Sequence, residues 1–194
     1  KFDFGRMFGF AYGEKENGAV FSHMAVMYAN ALYKRGFIKE GYKVLKNLLD
    51  SAMDFENSIM YPGIPEYFDN DGRGLYAYLT GAASWYMLTM ITEVFGVRGE
   101  LGNLVIKPAL LPEQFDKDGK AAIKLNFSGR TLKITIHADI DNIQDNNGVY
   151  NKIIRMECDG NELESADLKK VVIMKKRIEE MSCGRCHEID VFIK

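Results

Sequence analysis

Gly72-Arg73-Gly74-Leu75-Tyr76-Ala77-Tyr78-Leu79-Thr80-Gly81-Ala82-Ala83-Ser84-Trp85 is a glycine- and aromatic-rich loop that runs straight into a helix starting near Thr80. The chemistry of such a junction is that of an anion seat. A hydroxyl and a glycine at a helix start leave backbone N–H groups pointing outward, and the positive end of the helix dipole favours negative charge there. A second reading stands beside it. Thr80 is a good N-cap, Gly81, Ala82 and Ala83 allow close packing, and Trp85, Tyr86, Met87 and Leu88 can serve simply as core. Beyond the junction, Trp85, Leu88, Ile91, Thr92 and Phe95 fall on one side of a helix that Gly96 ends.

Upstream, apolar residues from Val20 to Leu32 recur at helical spacing and predict a helix over 19–35, stopped by Gly36. A second helix over 37–53 follows, with Ile38, Tyr42, Leu45, Leu48, Leu49 and Ala52 on its inner face and lysines outside, so that the two make an antiparallel pair. Before them, 1–13 reads as a loop or short strand rich in Phe and Gly. Between Asp54 and Leu79 periodicity is lost, and Pro62, Pro65 and Asp69-Asn70-Asp71-Gly72 mark a long ordered loop that its aromatics must anchor. Past Pro112 the texture changes to alternation. Residues 121–127 and 130–137 predict a hairpin turning at Ser128-Gly129, with further strands over 150–158, 170–174 and 188–193. Short strands in series predict an antiparallel sandwich.

The 194 residues carry a formal net charge of −2, which offers no electrostatic footprint for nucleic acid or an anionic membrane. No apolar run reaches the roughly twenty residues a membrane-spanning helix needs, and no signal segment is expected. Cys183-Gly184-Arg185-Cys186-His187 has the spacing of a c-type haem attachment and, with Cys158, resembles part of a zinc set. A haem needs an apolar pocket and an axial partner, and a structural zinc needs a second matched ligand pair that the chain lacks. No metal or cofactor is therefore expected, and the odd cysteine count suits reduced thiols in the cytoplasm.

Lys15-Glu16-Asn17-Gly18-Ala19-Val20-Phe21-Ser22-His23 leads into the first helix, with His23 within its first turns. Taken with the opening stretch, it resembles the inverting phosphorylases of the cellobiose phosphorylase family, glycoside hydrolase family 94. Their motifs read approximately E-N-G-G-x-F-T-H and G-R-G-G-W-x-W-Y-T-G-S-A-G-W, matched here by Glu16, Asn17, Gly18, Phe21 and His23, then Gly72, Arg73, Gly74, Thr80, Gly81, Ala83 and Trp85. Val97 to Pro108 resembles that family's exit from its helical barrel. The resemblance implies an α+β multidomain fragment: the last helices of an (α/α)6 barrel catalytic domain in 1–112, then a jelly-roll-like antiparallel β-sandwich in 113–194. It also implies that the chain is the C-terminal part of a longer enzyme.

Such an enzyme cleaves a β-glycosidic bond with inorganic phosphate as nucleophile and yields an α-sugar 1-phosphate. Phosphate needs no base to activate it, so one general acid suffices. By position, the resemblance assigns phosphate contacts to His23, Thr80 and Gly81, acceptor-sugar contacts to Lys15 and Glu16, and the holding of the loop to Arg73. The family's catalytic aspartate lies upstream of Lys1, so no catalytic residue is expected in this chain, and the chain alone should be inactive. Partners would be a β-linked glucoside, phosphate and the remainder of the same polypeptide, with a homodimer left open. Tyr76, Tyr78, Ala82 and Ser84 depart from the motif, and Phe10 and Arg6 replace polar groups of the acceptor subsite. Cellobiose is thereby disfavoured, and laminaribiose-type, 1,2-β-oligoglucan and other β-linked substrates stay open. The alternatives are a non-catalytic carbohydrate-binding module and the phosphorylase-like module of a cyclic β-glucan synthase.

Overall fold

The computed structural model describes residues 5–61, 63–77, 81–138, 152–163 and 169–194. It is a mixed α+β chain in two compact units, Lys1–Thr89 and Met90–Lys194, the first mainly helical and the second mainly strand.

The first unit begins with a single 3-10 helix, Gly5–Gly9, where the sequence suggested loop or strand. Strand β1 (Val20–Phe21) leads directly into helix α1 (Ser22–Lys34). The helix starts later than its periodicity suggests because Val20 and Phe21 are drawn into sheet pairing with β2 (Tyr67–Phe68). At its far end Gly36 takes φ +85°, and the N–H groups of Gly36 and Phe37 reach back to the carbonyls of Tyr33 and Leu32. That is a Schellman stop, which a Cβ would strain. Helix α2 (Ile38–Met53) returns against α1, and Gly41 makes the approach: a Cβ there would stand 2.6 Å from the Tyr33 ring. One helical turn, α3 (Phe55–Ser58), follows, and β3 (Gly74–Leu75) completes the sheet in the order β1-β2-β3. Among the described residues of 54–77 there are thus one helical turn and two short strands where a loop was expected. Helix α4 (Gly81–Thr89) packs on α1. His23 meets Gly81 at one end and Asn30 Nδ2 donates to Thr89 Oγ1 at 3.1 Å at the other, so α1 and α4 run side by side in the same direction.

The second unit opens on a π turn, Met90–Val94. Gly96 ends it at φ +67°, so close to the return of the chain that a Cβ would lie 1.7 Å from the Lys107 carbonyl oxygen. The buried Glu93 carboxylate is held by Arg98, whose Nε also donates to the Thr92 carbonyl at 2.7 Å. Strands β4 (Val97–Glu100) and β5 (Asn103–Ile106) form a hairpin whose turn, Leu101-Gly102, has positive φ at both residues. The hairpin expected at Ser128-Gly129 is β6 (Lys120–Phe127) and β7 (Arg130–Ala138). After them come β8 (Ile153–Cys158), β9 (Asn161–Glu162), β10 (Val171–Ile173), a short helix α5 (Lys175–Glu180) and β11 (Cys186–Ile193). Strand β10 pairs with β5, and the other five strands order as β6-β7-β11-β8-β9.

The wholly antiparallel arrangement expected from the sequence needs one correction. β11 runs parallel to β7 over eight paired positions and antiparallel to β8. Alternation of apolar and polar residues is the same in parallel and antiparallel strands, so the pattern cannot carry direction. The last strand, which follows α5, lies in the gap between β7 and β8. The buried faces of Leu132, Ile134 and Ile136 on β7 and Ile189, Val191 and Ile193 on β11 form the core there.

Candidate functional site

The small sheet β1-β2-β3 brings the two motifs of the sequence together. Phe21 pairs with Tyr67, and Tyr67 with Leu75, so the residues that precede α1 and those that lead toward α4 flank one central strand. Glu66 ties the arrangement from three directions. Its carbonyl accepts the Ser22 N–H at 2.9 Å, its own N–H donates to the Tyr76 carbonyl at 3.3 Å, and its carboxylate lies 3.9 Å from Lys15 Nζ. Neither Glu66 nor Tyr76 was expected among the site residues. Both stand in a stretch without periodicity, where only the acid before Tyr67-Phe68 hints at a role.

His23 lies in the first turn of α1, which has no side-chain cap. Its imidazole presses on the start of α4: a Cβ on Gly81 would lie 2.4 Å from His23 Cε1 and 2.6 Å from Nδ1. Only glycine leaves room for that approach. One turn on, the Trp85 indole stands 5.9 Å from the imidazole, centroid to centroid. His23 Nε2 and Ser22 Oγ are both buried and have no hydrogen-bond partner among the described residues. Buried polar atoms are normally paired, so bonding capacity is left over at this point. Thr80 lies outside the described residues.

Lys15 sits at φ +40° in a tight turn that is held by Gly13 N–H to Asn17 O, Asn17 N–H to Glu14 O and the Asn17 amide to Phe10 O. Its ammonium stands 4.1 Å from the Tyr76 ring centroid and 6.0 Å from that of Phe10. Tyr76, at φ +64°, also occupies the left-handed region. Two facing side chains on strained backbone, each held by its surroundings, are a common mark of a working site. Burial, followed by the neighbouring Tyr76 and Glu14, pushes the Tyr67 phenol above its ordinary value, so it stays neutral. Glu16 is exposed. The loop that carries Arg73 is held by the Asp69 carboxylate, which accepts the backbone N–H groups of Asp71 and Arg73.

The structure therefore brings His23 to Gly81, and Lys15 to Glu66 and Tyr76. Chemically, an imidazole beside the first N–H groups of a helix can donate to an anion, and a lysine over an aromatic ring can meet a polar organic ligand. Among the described residues no three His, Cys, Asp or Glu side chains gather as metal ligands, and no helix is long and apolar enough to cross a membrane.

The chain is distantly similar to a phosphorylase. It is 26% identical over 147 residues to the cellobionic acid phosphorylase of Neurospora crassa, covering 69% of this chain and 18% of that protein. The chain thus spans under a fifth of its relative's length. No family model matches it.

Proposed function

We propose that the chain is the C-terminal part of an inverting β-glycoside phosphorylase that reversibly converts a β-linked glucosyl disaccharide or oligosaccharide and phosphate into an α-sugar 1-phosphate. The observation that carries this reading is the contact of His23 with Gly81, which joins two motifs 58 positions apart at the start of one helix. In the reaction, His23 Nε2–H, the Thr80 hydroxyl and the Gly81 N–H hold phosphate on the face of the sugar opposite the leaving group. A phosphate oxygen attacks the anomeric carbon as the glycosidic bond breaks. An aspartic acid upstream of Lys1 protonates the departing oxygen, and the configuration inverts from β to α. Lys15 and Glu16 contact the acceptor sugar, with Glu66 and Tyr76 fixing the lysine. The name of the Neurospora protein makes cellobionic acid the first substrate to try. Phosphate is a substrate, and no cofactor takes part. We place the enzyme in the cytoplasm.

The unclothed helix faces support a larger protein of the same kind. α1 contains no Asp, Glu or Arg and a single Lys at its end, and α4 contains no charged residue. Met24, Met27 and Tyr28 on α1 and Met87 and Leu88 on α4 are nevertheless exposed. Helices apolar all round belong inside a domain, whereas α2 has one charged face. The remainder of the polypeptide upstream covers α1 and α4, which belong to an (α/α)6 barrel followed by a β-sandwich.

In the full-length protein, His23→Ala should raise the Michaelis constant for phosphate about 10- to 150-fold, the equivalent of one hydrogen bond to a charged group at about 1.5–3 kcal/mol. The melting temperature should hardly change. Product anomer is read by NMR, and residues 1–194 alone should release no sugar 1-phosphate. An unchanged constant for phosphate in the variant would overturn the assignment.

A further inference from the structure

The second unit holds a cavity of about 410 Å3 between the β8–β9 turn, α5 and the loop entering β11, lined in part by Asp159, Asn161, Arg177, Glu180, Arg185 and His187. Its floor is saturated. His187 is 1% exposed, with Nδ1 2.7 Å from Asp159 Oδ2 and Nε2 2.9 Å from the Ser182 carbonyl. Asp159 accepts from His187 and from Arg185 on one oxygen and from the Glu188 N–H on the other. Both polar groups of the floor are therefore committed, and neither is open to a ligand.

The rim is not saturated. Arg185 reaches Asp159 through one terminal nitrogen, and Arg177 approaches Glu180 only to 3.8 Å, beyond a good hydrogen bond. A guanidinium has five N–H donors in a planar fork, so each arginine keeps most of its fork for something else. The occupant's chemistry follows by exclusion. A cation would find Asp159 already filled and Glu180 as the one open carboxylate among the described lining residues. A bare sugar would find no Phe, Tyr or Trp ring among the described lining residues on which to stack. An oxyanion finds two forks facing one space, and that space exceeds what an inorganic ion fills.

We propose that this cavity binds a small polar molecule through its phosphate or carboxylate group, held between Arg177 and Arg185. The site is separate from the His23 seat and does not depend on the activity proposed above. The test is an NMR titration of the chain with inorganic phosphate, α-glucose 1-phosphate and gluconate, read at the arginine Nε–H signals. Saturable shifts of Arg177 and Arg185 are expected. Arg177→Gln and Arg185→Gln should each weaken binding about tenfold, the loss of a charge-assisted contact. Glu180→Gln, which removes the competing carboxylate, should tighten it, an effect that a structural role for Arg177 would not produce. Arg177 and Glu180 are half-exposed on α5, so these two variants test binding apart from folding. Tighter binding of glucose 1-phosphate than of gluconate would identify the group as phosphate, and the reverse order as carboxylate. His23→Ala should leave every shift unchanged. The proposal is overturned if no ligand shifts the two arginines, or if the shifts survive both arginine substitutions.

Discussion

His23 and His187 are both packed into the protein, yet they face opposite situations. His187, in the floor of the β-rich unit, has an acceptor on each ring nitrogen, and its carboxylate partner is itself fully bonded. His23, at the paired starts of α1 and α4, presses on Gly81 and has a buried Nε2 with no partner among the described residues. One histidine joins strands, and the other keeps a hydrogen bond in reserve. The same contrast separates their surroundings: a sheet core closed on itself around β7 and β11, against two helices whose outer faces still expose methionine, tyrosine and leucine. A polar group that is fully paired contributes to stability, and an unpaired buried one leaves a hydrogen bond open.

Two glycines offer the strongest way to break this contrast. A Cβ on Gly96 would overlap the Lys107 carbonyl at 1.7 Å on backbone already at φ +67°, so Gly96→Ala should cost more than about 4 kcal/mol and be seen as a collapsed denaturation midpoint. Gly81→Ala meets a side chain that can rotate, and should cost about 1–2 kcal/mol while displacing the His23 ring. Equal losses from the two substitutions would remove the distinction. Next in size, His187→Ala should cost about 2–3 kcal/mol by cutting two buried hydrogen bonds, and His23→Ala under about 1 kcal/mol, both read by urea denaturation.

The smallest effect is on acid stability. Burial pushes the Asp159 carboxyl up, but hydrogen bonds from His187, the Glu188 N–H and Arg185 outweigh it and hold the group below its ordinary value of 3.8. A folded-state value below the unfolded one means that the stabilisation is complete above the unfolded value and is lost as pH falls through the folded one. The stability difference between the protein and Asp159→Asn should therefore be full at about pH 5 and shrink on acidification below about 3.9. A difference that grows on acidification would contradict the bonding seen at His187.

How much of this was legible beforehand depends on the range of the interaction. Apolar spacing announced α1, α2 and α4 and the alternation of β6, β7, β8, β10 and β11, because one face of each is buried and the period repeats along the chain. The stop at Gly36 and the turn at Ser128-Gly129 were legible for a local reason, since both need positive φ. Strands β1 to β3 are two residues each, too short to show any period, and β4 and β5 lie where a connection was expected. The resemblance of the two motifs to the cellobiose phosphorylase family, and not their residue types alone, offered His23, Thr80, Gly81, Lys15 and Glu16 as candidates.

What the chain could not express in one dimension is who meets whom. Glu66 and Tyr76 stand beside Lys15 only because three short strands set them there, and the cavity proposed for an oxyanion exists only because α5 and the last strand bring Arg177 and Arg185 to the β8–β9 turn. The parallel pairing of β7 and β11 has the same origin. Periodicity, capping and turn chemistry are local and so are written in the sequence. Strand direction, the closure of His23 on Gly81 and the saturation of His187 depend on contacts between distant residues, which only the folded chain supplies.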